Sequence, residues 1–480
     1  MMRLVLIMRY VGLMLVVNAA FMLVCLAMAV HNHDGGEIPL LTGALITGLV
    51  GIFPVVFVPS DTRISNHEGY AIVVFSWLAV CFFGMIPYIL WGGEFDFSAA
   101  WFEAVSGYTT TGATILDNVE ALPKSLLLWR AFTHWIGGLG VVVFVLVIIP
   151  SLGRAQMTLT RFEVSAIARQ DFHYRTRVLL RVMALTYLGI SGLIIGLLWL
   201  VGLPTFDSVA VGFSTVATGG FAVTNLSIAS YNNRWAELVI IGGMTLASIH
   251  FGLIYSLISG HAKSFFRSPI VRFFLLFSLG ATLLIAIDLS SHYASWLHGL
   301  RHAAFQVMSV LSTTGFATTE TTDWPTLALL VIFVICIVGG CSGSTAGGIK
   351  MDRLVIALAA VRATILRQQH PKAVIPVQIG RIRIEPATIN AALIYIFLYI
   401  TVVLASAIVL AFEGNGLRTS VIASASCMSS VGAAFGALGS FQSYSEMSVL
   451  ARLVLSLVML LGRLEIFGLL LIFFKSSWQK

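Results

Sequence analysis

The sequence predicts an all-α integral membrane protein: two N-terminal transmembrane helices, then four repeats, each with two spans and a short re-entrant segment between them. Three observations predict it. Hydrophobic residues make up 58% of the 480 residues and charged residues 10%, with a mean hydropathy of +0.95, a composition that belongs in lipid. Apolar runs long enough to cross a bilayer, which takes roughly 20 residues, recur throughout. A small cluster of Thr or Ser followed by Gly returns at intervals of roughly one hundred residues, longer than any solenoid period.

The spans run from Tyr10 to Val30, Ile38 to Val58, Tyr70 to Trp91 and onward to a last one from Met447 to Phe474, ten full crossings in all. The first follows Arg3 and Arg9, ends in His31-Asn32-His33-Asp34 without a small-residue cleavage site, and leads directly into a second span. It therefore reads as a retained helix, not a signal peptide. The units are 1–68 (the N-terminal two-helix unit), 69–153, 154–262, 263–368 and 369–480 (repeats 1 to 4).

Charge placement sets the orientation. The net charge is +7, yet the basic residues lie in alternate connectors: Arg154, Arg161, Arg169, Arg175, Arg177 and Arg181; Lys263, Arg267 and Arg272; then Lys350, Arg353, Arg362, Arg367, Lys372, Arg381 and Arg383. The connectors between them are acidic, with Asp34 and Glu37, then Glu94, Asp96, Glu103, Asp117 and Glu120, then Glu320 and Asp323. This is the positive-inside pattern, which puts both termini in the cytoplasm and gives the basic charge a topological role rather than a nucleic-acid one. Cys25, Cys81, Cys336, Cys341 and Cys427 show no CxxC spacing and read as small buried residues. His31 and His33 are too few ligands for a metal site and read as a solvated loop. Arg130, His134 and His250 lie in or near spans and are expected to be hydrogen-bonded within the bundle.

The four clusters are Thr109-Thr110-Thr111-Gly112-Ala113, Ala217-Thr218-Gly219-Gly220-Phe221, Ser312-Thr313-Thr314-Gly315-Phe316 and Ser429-Ser430-Val431-Gly432-Ala433. Each follows a short amphipathic stretch (Ser98 to Tyr108, Asp207 to Thr215, Leu300 to Leu311, Thr419 to Met428) that is too short to cross and must turn back. Irregular backbone at membrane depth is tolerated only where protein buries it or where it lines an aqueous cavity. Small-residue motifs also serve helix packing, but packing does not explain four copies in one re-entrant frame. The clusters therefore predict a central pseudo-fourfold pore. Glycine would turn successive carbonyls toward a common axis, where they replace the hydration shell of an alkali cation. The ligands would be Thr110, Thr111 and Gly112; Thr218, Gly219 and Gly220; Thr313, Thr314 and Gly315; and Ser430, Val431 and Gly432.

Within the third repeat, the span from Leu327 to about Val338 breaks into Gly339-Gly340-Cys341-Ser342-Gly343-Ser344-Thr345-Ala346-Gly347-Gly348-Ile349-Lys350 and resumes near Leu354. The pattern GxxxxGK[ST] fails here, because Ile349 separates Gly348 from Lys350. The stretch reads as a mobile segment lining a cavity. Arg463 lies toward the cytoplasmic half of the last span and is expected to face protein or the pore. Pairing with Glu465 is disfavoured, because residues two apart point to different helix faces.

These residues, above all Ser106-Gly107-Tyr108-Thr109-Thr110-Thr111-Gly112-Ala113-Thr114 and Phe213-Ser214-Thr215-Val216-Ala217-Thr218-Gly219-Gly220-Phe221, resemble the Trk/Ktr/HKT superfamily of potassium transporters, and within it the TrkH type. The resemblance covers nearly the whole chain. It implies potassium uptake across the bacterial inner membrane through a gated, channel-like pore, with potassium as the transported substrate and no organic cofactor. Glycine at the key position of all four repeats goes with potassium in this family, and serine in the first repeat with sodium. The resemblance also implies that the Gly339 to Lys350 loop gates the pore and that an arginine at the place of Arg463 forms part of the ion barrier. A homodimer and a cytosolic TrkA-type nucleotide-binding regulatory subunit are implied as partners. The fourth cluster departs from the Asn-Asn-Ile-Gly-Pro-like stretch usual for the type but keeps its glycine. An ion-coupled (sodium or proton) alternating-access symporter is the alternative, although such folds usually carry inverted repeats. Enzyme activity is not expected, since the spans offer no convergent set of ionisable residues.

Overall fold

Long apolar stretches without internal polar partners satisfy their backbone only by forming helices in lipid, and helices dominate the chain. The computed structural model describes residues 3–59, 66–151, 176–380, 382–432, 435–436, 439–466 and 468–469, with side chains outside 66–67, 141–151 and 176–180. Arg154, Arg161, Arg169, Arg175, Arg381, Ala433, Phe474 and the boundary between the first two repeats fall outside the described residues.

The N-terminal pair, α1 (Leu4–Asn32) and α2 (Glu37–Phe57), packs along its length. At Gly12 a side chain would lie 2.6 Å from the carbonyl of Gly51, so the two backbones approach as small residues allow. The first unit continues with α3 (Asn66–Gly84), α4 (Ile86–Trp91), the short α5 (Phe97–Tyr108) and α6 (Lys124–Ser151). The second has α7 (Thr176–Leu200), the short α8 (Thr205–Ala217), α9 (Arg234–Ala247), α10 (Phe251–Ile258) and α11 (Ala262–Arg267). The third has α12 (Pro269–Asp288), the short α13 (Trp296–Leu311), α14 (Thr326–Val338) and α15 (Met351–Gln369). A small antiparallel hairpin, Gln378–Ile379 with Ile382–Arg383, leads to α16 (Pro386–Phe412), the short α17 (Leu417–Ser429) and α18 (Val449–Arg463).

The packing is cyclic. Helix α6 lies against the next short helix α8, α9 against α13, α14 against α17, and α18 returns to the first short helix α5. One buried cluster joins the N-terminal pair, the first unit and the fourth; a second joins the second and third.

Six described helices are long and apolar enough to cross a membrane, and a seventh crossing is made by α9 and α10 if that bent pair is one span. The other expected crossings correspond to α6, α14 and α18. Three spans differ from the sequence expectation, the last of them, expected from Met447 to Phe474, because its helix ends at Arg463 and Glu465 turns left-handed with φ 53°. The second span of repeat 2 is not straight: it bends by 110° between Ala247 and Phe251. After the break in repeat 3, the helix resumes at Met351, ahead of Leu354.

Candidate functional site

Each short helix ends in the same way. Thr110, Thr218, Thr313 and Ser430 adopt left-handed backbone, with φ of 52°, 55°, 59° and 58°. The next amide donates back to a serine carbonyl: Thr111 to Ser106 (2.9 Å), Gly219 to Ser214 (2.8 Å), Thr314 to Ser309 (2.8 Å) and Val431 to Ser426 (2.9 Å). The left-handed residue itself donates to the carbonyl three back, as Thr110 does to Gly107 (3.0 Å) and Ser430 to Cys427 (3.2 Å). This pair of bonds is the Schellman helix end, with Thr or Ser where glycine is usual, at a cost of roughly 1–2 kcal/mol each. Two residues on, Gly112, Gly220, Gly315 and Gly432 have φ of 79°, 86°, 82° and 70°. The fourth cluster, divergent in sequence, has the same backbone as the other three.

The four ends meet. A Cβ at Gly112 would lie 2.0 Å from the Gly219 carbonyl oxygen, one at Gly220 2.0 Å from that of Thr314, and one at Gly432 1.9 Å from that of Thr111. All four glycines line a single cavity of about 70 Å³, room for a few water-sized groups. Tyr444 closes one side, donating from its hydroxyl to the Gly432 carbonyl (3.0 Å) and from its amide to that of Thr114 (2.8 Å).

Behind the first cluster sits a buried ion pair that the sequence did not single out. Arg130 Nε lies 2.9 Å from Glu103 Oε1 and Nη2 2.8 Å from it, with both side chains almost fully buried. Glu103 also accepts from the Thr114 hydroxyl (3.0 Å) and the Ile115 amide (3.1 Å). Arg130 reaches the Ala222 carbonyl (3.3 Å) and lies 4.0 Å from the centre of the Phe221 ring, so the pair joins the first cluster to the second. The sequence expectation for Arg130 is met, and His250 Nδ1 accepts from the Gly252 amide (3.0 Å). His134 differs: neither ring nitrogen has a hydrogen bond, and the ring stacks on Phe221 with centroids 4.1 Å apart. It fills space beside Gly219, where a Cβ would collide with it.

The stretch 339–350 is non-helical and lies against three of the four ends. The Gly347 amide donates to Thr313 Oγ1 (2.7 Å), a Cβ at Gly347 would lie 2.2 Å from the Ser429 carbonyl oxygen, and Thr345 Oγ1 is 2.9 Å from the Val216 carbonyl oxygen. Its other bonds reach the bend in repeat 2: Cys341 N–H to Ser248 (2.9 Å), Thr345 N–H to Ala247 (3.3 Å), and Phe251 N–H back to Gly343 (3.1 Å). The base is tied by Lys350 N–H to Val338 (2.9 Å) and Met351 N–H to Gly340 (2.8 Å). Backbone meets backbone where Gly339 packs on Gly348. Ser342 N–H donates to Asp352 (2.6 Å), Ser344 Oγ to Cys341 (2.6 Å), and the Lys350 ammonium to the Ala346 carbonyl.

Arg463 is buried and reaches the loop, with Nη1 donating to the Thr345 carbonyl (2.7 Å) and Nη2 to that of Gly137 (3.3 Å). Glu465 pairs instead with Arg353 (2.5 Å); it lies past the helix end at Arg463, with a left-handed φ of 53°, so the break in the chain rather than the spacing of helix faces separates the two. The sequence-predicted cluster residues, loop and arginine therefore form one contiguous assembly. The serines at its helix ends were legible as a repeated spacing, Ser106 to Thr110, Ser214 to Thr218, Ser309 to Thr313 and Ser426 to Ser430.

Comparison with known proteins finds relatives along nearly the whole chain. The TrkH family model, described as "Cation transport protein", matches residues 49–480. The Trk system potassium uptake protein TrkH of Halomonas elongata is 30% identical over 99% of both chains. TrkG of Escherichia coli K12, also named a Trk system potassium uptake protein, is 32% identical over 88% of this chain and 87% of its own. The crystal structure of the potassium transporter TrkH from Vibrio parahaemolyticus superposes with a TM-score of 0.90 at 26% identity, covering 100% of both chains. The chain belongs to the TrkH family of cation transport proteins.

Proposed function

We propose that this protein takes up potassium across the bacterial inner membrane through a gated, channel-like, cation-selective pore with pseudo-fourfold symmetry. The observation that carries the reading is the meeting of four left-handed helix ends, each with its glycine, around one small cavity. Carbonyl-rich backbone from four sides can replace the water around an alkali cation, and the carbonyl ends of four short helices add a favourable dipole field. No covalent step is required, and the cation is cargo.

The loop 339–350 acts as the gate below this filter, with Arg463 holding it and adding a positive barrier. An intramembrane charge costs several kcal/mol unless protein or water faces it, and the Thr345 and Gly137 carbonyls meet that need. Orientation follows the positive-inside pattern, with both termini cytoplasmic and the loop's lower face toward the cytosol. The units divide as 1–68, 69–153, 154–262, 263–368 and 369–480. A homodimer is the working assembly, and a cytosolic TrkA-type nucleotide-binding subunit acts on the loop.

Reconstituting the full chain and measuring bi-ionic potassium/sodium flux tests this. Currents reversing near the potassium equilibrium potential are expected. Saturable flux that stops without a sodium or proton counter-gradient, with no unitary currents, would overturn the pore in favour of the symporter.

A further inference from the structure

A second cavity, of about 990 Å³, opens between the bent span of the second unit and the start of the third. Its volume lies at the upper end of small-molecule sites. Lys263, Arg267 and Arg272 stand at its outer wall, and His250, Ser342 and Asp352 at its inner wall. Three observations describe what would fill it. Among the described residues, none of the three cations has an acidic partner; Arg272 donates only its Nε, to the Phe266 carbonyl (2.6 Å), leaving its terminal nitrogens open. Two wall side chains, His250 (4% exposed) and Ser342 (2% exposed), are buried, yet His250 Nε2 and Ser342 Oγ have no hydrogen-bond partner. Such buried polar atoms cost about 1–3 kcal/mol when unpaired. At the rim, Leu276 is 68% exposed, and the same face of α12 continues with Leu279 and Leu283, also exposed.

Uncompensated cations at the outer wall, polar side chains in the wall behind them and an apolar stripe leading away describe a ligand with an anionic head and a hydrocarbon tail. We propose that this cavity binds an anionic phospholipid. Its headgroup phosphate sits among Lys263, Arg267 and Arg272, against the wall to which His250 and Ser342 belong, and an acyl chain lies along Leu276, Leu279 and Leu283. Basic pockets between spans recognise phosphate headgroups in this way. The carboxylate of Asp352 opposes the anion, but the Ser342 amide already occupies it (2.6 Å), and three cations outweigh it. Free phosphate would satisfy the head of the site and leave the leucine stripe bare. Because Ser342 belongs to the loop 339–350, an occupied site ties that loop to the lipid and biases it toward the arrangement described above.

The test uses the full-length purified chain in bilayer discs of phosphatidylcholine with and without phosphatidylglycerol, reading retained lipid by native mass spectrometry. The wild type is expected to retain phosphatidylglycerol selectively. Each of Lys263→Gln, Arg267→Gln and Arg272→Gln should weaken retention about fivefold, and all three together about a hundredfold, while Arg362→Gln, an exposed cation outside the cavity, leaves it unchanged. Should the triple variant not fold, the single variants carry the same reading. Retention unaffected by these substitutions, or displacement by millimolar inorganic phosphate as effective as that by phosphatidylglycerol, would overturn the proposal. The accompanying change in potassium flux rests on the pore reading; lipid retention does not, so the two can fail separately.

Discussion

The ring of helix ends and the loop beneath it are both irregular backbone inside a helical protein, and they are held in opposite ways. Each helix end makes its own bonds: the pairs Thr111–Ser106, Gly219–Ser214, Thr314–Ser309 and Val431–Ser426 all lie within one turn of one chain segment. The middle of the loop, from Cys341 to Gly347, is tied instead to other elements, through Ser248, Ala247, Val216, Thr313 and Arg463. Local bonds survive rearrangement of neighbours, whereas bonds to other elements are lost together when one element moves. In the proposed gate it is the loop, whose middle is tied to other elements, that would exchange partners, and the ring, whose bonds are local, that would stay.

The largest effect should come from the ring. Gly112→Ser forces a side chain onto a residue with φ of 79° and places its Cβ 2.0 Å from the Gly219 carbonyl oxygen. Strain of about 1–3 kcal/mol acts directly on the oxygens proposed to select the cation. The potassium-to-sodium permeability ratio, from reversal potentials, is expected to fall by up to about a hundredfold, since each 1.4 kcal/mol is tenfold. An unchanged ratio would remove Gly112 from the filter and break the contrast at its rigid side.

Next comes the clamp on the loop. Arg463→Gln removes a charge whose two hydrogen bonds join Thr345 of the loop to Gly137 of α6. Hydrogen bonds to charged groups contribute about 1.5–3 kcal/mol, so potassium flux without any partner should rise about tenfold. Flux equal to wild type would mean that the arginine neither holds nor blocks. Thr345→Val is subtler: it keeps the shape and deletes the hydroxyl within reach of the Val216 and Ala247 carbonyls. A net contribution near 1 kcal/mol predicts a rise in partner-free flux of about fivefold, and none if the loop is as self-sufficient as the ring.

The same contrast explains what the sequence revealed. The ring was legible because its geometry is local: a cluster of Thr, Ser and Gly after a short amphipathic helix states its own turn, and even the divergent Ser430-Val431-Gly432 keeps the frame. The loop was legible as well, since ten glycines and small residues in a row, Gly339 to Gly348, do not sustain a membrane helix. The bend at Ser248-Ile249-His250 was not. No Pro marks it, and apolar residues run on through Phe251 and, past Gly252, Leu253; the helix breaks there, where the Ser248 and Ala247 carbonyls accept amides from the loop. The Glu103–Arg130 pair escaped for a related reason, being a meeting of two helices that no periodicity announces.

The smallest effect lies at the outer edge of the ring, where the contrast can be sharpened by pH. Asp117, in the connector after the first cluster, accepts hydrogen bonds from the hydroxyls of Ser443 and Ser445 (2.7 Å for the latter), tying the first unit to the fourth from outside. Those two donors hold its carboxyl below the usual carboxylate range. A depressed carboxyl contributes stability that is present above its unfolded value, near 3.9, and is lost as pH falls through the lower folded value. Asp117 is largely solvated, so the link is weak. Thermal unfolding of the wild type at neutral pH should exceed that of Asp117→Asn by about 1 °C, and the gap should close only below about pH 4. A gap that closed near pH 6 would mean that the folded Asp117 carboxyl is raised rather than depressed. No gap at any pH would mean that the ring, held by its own local bonds, does not need the strap.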